Sequence, residues 1–125
     1  MKIVEVERLI HKGQPNPNTG KPYFNMETKL QEFFDYHASQ FCEVPVSIRN
    51  EEDIYIPEMR AEDVVGFAIG FTEAHMTIKV YDEELFDKFK DPRVEICTII
   101  NPDMSYDETY IEKVYKIILA EKSRE

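Results

Sequence analysis

At 125 residues, with 42% hydrophobic side chains, eight phenylalanines and seven tyrosines, the chain carries enough apolar material for one compact domain and is not a disordered tail, despite 32% charged residues. Twenty-five acids against fifteen bases give a formal charge of −10, spread along the chain. That balance argues against direct nucleic-acid binding, which needs lysine and arginine to displace counterions, and against docking on an anionic membrane.

No apolar run approaches the length of a membrane helix or a signal-peptide core, so a cytoplasmic location is expected. Cys42 and Cys97 stand far apart and are expected to be reduced thiols.

Residues 2–12 set Val4, Val6 and Ile10 against Glu5, Glu7 and Leu9, the alternation of a strand with one face inside. Residues 13–22, rich in Pro, Asn and Gly, form an exposed loop. Its Lys12-Gly13 and Gly20-Lys21 lack the spacing of a phosphate cradle, and Pro22 stands where a hydroxyl would follow the lysine.

From Asn25 the period becomes helical, through Met26, Leu30, Phe33, Phe34, His37 and Phe41. Asn25 is available as the cap, Glu27 suits the first turn, and the helix is expected to end near Ser39 or Gln40. Residues 41–49 alternate again, placing Cys42, Val44, Val46 and Ile48 inward, with Cys42 as inert packing. Pro45 cannot donate to a ladder, which points to an edge strand or to an outward use of that position, and 54–57 returns as a short partner after the turn at 50–53.

Residues 64–81 read as a hairpin turning between Thr72 and His75. Its first strand has Val65, Phe67, Ile69 and Phe71 on one face and Gly66, Ala68 and Gly70 on the other. That bare face needs a backbone, a helix or a ligand close by, and a helix at the C-terminal end of the chain is the expected occupant. Residues 82–90 supply one or two helical turns, stopped by Asp91-Pro92. A strand over 93–100 follows, with Val94, Ile96 and Ile100 inward.

Ser105 and Glu108 form a capping-box pattern that opens a helix to about Lys122. Its Tyr110, Ile111, Val114, Tyr115, Ile117, Ile118 and Leu119 spread beyond one stripe. The surplus predicts self-association as a homodimer or larger assembly, centred on Tyr110, Ile111, Val114, Tyr115 and Ile118. The expected fold is α+β, a mainly antiparallel sheet of about six strands with two main helices, in the order β-α-β-β-β-β-short α-β-α.

No catalytic residue, metal or cofactor is assigned. His11, His37 and His75 fall on a strand, a helix and a turn without metal-ligand spacing. His37 reads as an ordinary histidine at the core edge. The acids at 51–53, 82–84 and 107–108 sit at turns or helix starts, where acids serve local purposes. Cys97, sharing a face with Arg93, Glu95 and Ile99, is the one candidate nucleophile.

Arg49, Arg60 and Arg93 border strands or the loop beside one, and with Tyr55 they would form a pocket for a small anion if they converge. The resulting expectation is a non-enzymatic, acidic, self-associating module that holds or blocks a basic protein partner. It would act as an adaptor, chaperone or inhibitor, with a size and charge shared by secretion chaperones and phage anti-defence proteins. The alternative is a small-ligand binder that sequesters or senses an anionic metabolite or nucleotide.

Overall fold

The strands close into a barrel with one face of the wall turned to a shared apolar core. The computed structural model describes residues 1–10, 26–48, 61–101 and 110–121. In chain order they form β1 (Lys2–Ile10), α1 (Met26–Ser39), β2 (Val44–Ile48), a 3-10 turn (Ala61–Asp63), β3 (Val64–Phe71), β4 (His75–Val80), α2 (Glu83–Asp87), β5 (Pro92–Asn101) and β6 (Tyr110–Glu121). The closed strand order is β1-β4-β3-β2-β6-β5. A mixed fold of helices and about six strands is thus present, with closure as the feature that the sequence reading lacked.

Four ladders are antiparallel: β1 with β4, β4 with β3, β3 with β2, and β5 with β6. Two short parallel seams complete the ring. Glu7 to Ile10 pair with Arg93 to Ile96, and Val46 to Ile48 pair with Ile117 to Leu119. Register places Val6 beside Met76, Ala68 beside Ile78 and Val44, and Ile117 beside both Val46 and Ile96. All of these side chains are buried and belong to one apolar core.

The expected C-terminal helix is a correction, because residues 110–121 form β6. Ile117 and Leu119 are buried on one face and Lys116, Ile118 and Ala120 on the other. A strand covered on both sides loses its period-two contrast, and its apolar run then imitates a helix hydrophobic over a wide arc. The β-branched Ile111, Val114, Ile117 and Ile118 were the discriminating signal. The surplus apolar face therefore lies largely in the core, which removes the helix as a basis for self-association.

Two further expectations change. β2 has a neighbour on each side, so it is not an edge, and its pairing with β6 starts at Val46, immediately after Pro45. The bare face of β3 is met at Gly66 by the backbone of β4 rather than by a C-terminal helix. A Cβ on Gly66 would clash with the Lys79 carbonyl oxygen, so the β4 backbone itself uses that space. Ala68 lies in the barrel core, and Gly70 faces open space.

The hairpin of β3 and β4 and the short α2 match their expected positions. Asp82 caps α2 by accepting from the Leu85 amide at 3.0 Å, and Asp91, at φ 43°, turns the chain into β5. The strand expected at 54–57, the loop at 13–22 and the capping box at 105–108 lie outside the described residues.

The interior assignment predicts an ordered mutant series in urea unfolding. Ala68→Leu should cost about 1–3 kcal/mol by overpacking the barrel. Gly66→Ala should also destabilise, because the added methyl meets backbone rather than a flexible side chain. Gly70→Ala should be neutral or slightly stabilising, since space is open there and alanine restricts the unfolded chain. Equal midpoints for all three variants would contradict this packing.

Candidate functional site: the aromatic end of α1 and its groove on β6

Helix α1 lies across the barrel mouth formed by the ends of β1 and β3 and the start of β6. Met26 and Leu30 enter the core, and Phe34 packs on Phe71 with ring centroids 5.2 Å apart. The polar anchor is Arg8, whose side chain is only 5% exposed. Its Nε donates to the Thr72 carbonyl at 2.7 Å, its Nη2 pairs with Glu27 in the first turn of α1, and its guanidinium lies 5.6 Å from the Phe71 ring centre. One cation thereby ties β1, the β3–β4 turn and the helix together.

Arg8 went unremarked in the sequence, yet it occupies the same parity as Val4 and Val6, and a charge in core phase was the available signal. Arg8→Lys keeps the charge but loses the planar fork and the ring contact. It should lower unfolding stability by about 1–2 kcal/mol, chiefly through the buried Thr72 contact, because the Glu27 partner is solvent-screened. A urea midpoint unchanged from wild type would remove Arg8 as the anchor.

Between α1 and β6 runs a groove of about 470 Å³, lined by Phe33, Tyr36, His37, Val114 and Tyr115 with Lys29, Glu32 and Lys113. His37 Nδ1 donates to the Phe33 carbonyl at 3.0 Å, and the two rings meet edge to face at 4.6 Å. His37 is half-buried, in keeping with its reading as a core-edge histidine.

At the end of the helix the chain reverses through a left-handed residue. The Cys42 amide donates to the His37 carbonyl at 2.9 Å and the Phe41 amide to Ala38 at 3.0 Å, the two bonds of a Schellman cap. The residue at φ 57° is Phe41, where glycine is normally favoured, and its side chain is 98% exposed. Tyr36, on the last turns of the same helix, is 63% exposed. Glu43, two residues after Phe41, is held at 2.7 Å by Lys79, whose ammonium is raised above its ordinary value by that bond and by Tyr81.

The sequence-derived candidates are scattered. Arg49, Tyr55 and Arg60 lie outside the described residues. Arg93 is on β5 with its Nη2 3.3 Å from Glu95 and its Nε buried without a hydrogen-bond partner. Of the residues assigned to self-association, Ile111, Val114 and Ile118 are buried, Tyr115 is half-buried in the groove, and Tyr110 begins β6.

Cys42 is exposed, with its thiol donating to the Gln40 carbonyl at 3.2 Å, so it is not the inert packing residue expected. The strand starts only at Val44, which breaks the assumed phase. Cys97 is buried opposite Lys116. Neither cysteine is in a disulfide.

Among the described residues no group of three His, Cys, Asp or Glu side chains could hold a metal ion, and no helix is long and apolar enough to cross a membrane. Comparison with protein-family models, curated proteins and solved structures gives no match for this chain.

Proposed function

We propose that the chain is a non-enzymatic binding module that holds or blocks a protein partner through the aromatic end of α1 and the adjoining groove on β6. The observation that carries this reading is Phe41. A bulky aromatic in the left-handed region costs roughly 1–2 kcal/mol relative to glycine, and its full exposure recovers none of that by packing within the fold. A partner's surface would recover it, since aromatic side chains dominate interface energetics.

The charge of −10 favours a basic partner and salt-sensitive association. Self-association remains one use of this surface, through Val114 and Tyr115 in the groove rather than through a helical face. A second reading, a binder of a small anionic metabolite or nucleotide, draws support from the buried, unpartnered Nε of Arg93. Calorimetric titration with ATP tests it separately.

Phe41→Gly separates binding from folding. It should leave stability unchanged or raise it by up to about 1 kcal/mol, because glycine accepts the left-handed cap. Peptides selected by phage display on the wild-type protein should lose about tenfold or more in affinity for this variant and for Tyr36→Ala. Selected peptides that bind both variants as tightly as wild type would defeat the proposal.

A further inference from the structure

At the opposite end of the barrel the seam between β1 and β5 stops early, and the chemistry of one residue explains why. The Arg8 amide donates to the Ala74 carbonyl, so even-numbered residues of β1 direct their backbone groups toward β4 and odd-numbered ones toward β5. The first β1–β5 pair is Glu7 with Arg93. In a parallel ladder the next rung toward the N-terminus would join the Glu5 carbonyl to the amide of residue 92, and residue 92 is proline. The ladder ends there. Ile3 and Glu5 are left with their amides and carbonyls directed away from β4 and with no partner on β5.

This free length of strand borders a cleft of about 510 Å³, lined by Val4, Glu5, Glu7, Phe86, Asp91 and Arg93. Its start is fixed by Lys2, which meets Asp87 at 2.9 Å and lies 5.0 Å from the centre of the Phe86 ring. Ile3 is 62% exposed and Glu5 is exposed beside it. An extended, partly unpaired strand next to a cleft is the geometry used for strand addition, where main-chain hydrogen bonds supply affinity and alternate side chains supply specificity.

Charge selects the occupant. Glu5, Glu7 and Asp91 surround the cleft and outnumber Arg93, whose Nη2 is 3.3 Å from Glu95 and whose remaining Nε is buried away from the opening. A second copy of β1 would bring the same acids, and like charges facing each other across strands are unfavourable. We infer that the β1 edge at Ile3 and Glu5 is a strand-addition site for an extended basic segment of a partner protein. Its lysines or arginines lie along Glu5 and Glu7, and its alternate apolar residues turn toward Val4 and Phe86. This site is separate from the α1–β6 surface and does not depend on the role given to Phe41.

The probe is a fluorescent peptide of about eight residues alternating lysine and valine, with a glutamate–valine peptide as control, read by anisotropy at low and physiological salt. The lysine peptide should bind and the glutamate peptide should not. N-methylation of alternate peptide amides should weaken binding about tenfold or more, as should Glu5→Lys. Pro92→Ala supplies the missing donor to the Glu5 carbonyl, and should also weaken binding while the protein stays folded by circular dichroism. Phe41→Gly should bind the lysine peptide like wild type. Binding insensitive to N-methylation and to Pro92→Ala would mean general charge attraction and overturn the site. So would a wild-type dimer in sedimentation that Pro92→Ala converts to monomer, because the edge would then be taken by a second copy.

Discussion

Ring closure across two short parallel seams is the constraint on which this structure depends. The β5–β6 hairpin is paired along most of its length, but among the described residues it joins the rest of the wall only through residues 7–10 on one side and 46–48 on the other. A barrel removes open edges only if each strand is matched over its full height. Among the described residues neither seam is. Each shortfall is flanked by a helix: α1 lies beside the start of β6, and α2 stands near the free length of β1. The two clefts are thus products of the same incomplete closure, and their contrasting chemistry comes from which helix stands next to them.

Polar groups in the wall have been placed with similar economy. Arg8 is buried but hydrogen-bonded to a carbonyl and a carboxylate, which makes its desolvation tolerable. On the outer face of β5 and β6, buried Glu95 and Lys116 alternate with Cys97 and Ile118 across the ladder, and Ser47 continues that row onto β2. The Ser47 hydroxyl lacks a hydrogen-bond partner at the point where β2 shifts register against β3.

Local signals carried much of the architecture. Alternation located β1 and β5, turn chemistry located the β3–β4 hairpin, and 3.6-residue spacing located α1 within a residue. Residues 110–121 defeated the same reasoning because burial on both faces is a property of the neighbours, not of the strand. Gly66 was recognisable as a point of close approach, but the approaching group, a carbonyl on the adjacent strand, follows from its pairing with β4. Arg8 shares the inward parity of Val4 and Val6, but its burial depends on Thr72 and Glu27, which only the fold brings to it. Phe41 reads as another apolar residue in helical phase until the Schellman turn swings it out of the core. Pro92 was legible as a helix stop, but its effect on Glu5 requires knowing that β1 and β5 run side by side.

The parallel seams also bear on the order in which the barrel can be made. They join residues near the start and middle of the chain to strands that begin at Pro92 and Tyr110, so closure requires contacts of long sequence separation. Such contacts repay their loop-closure entropy late and slow the search for the native state. During synthesis β1, β4, β3 and β2 would form an open, curved sheet whose outermost strands both wait for the β5–β6 hairpin. The ring is sealed only after β6 has left the ribosome, and until then two strand edges stand available to chaperones or to neighbouring chains.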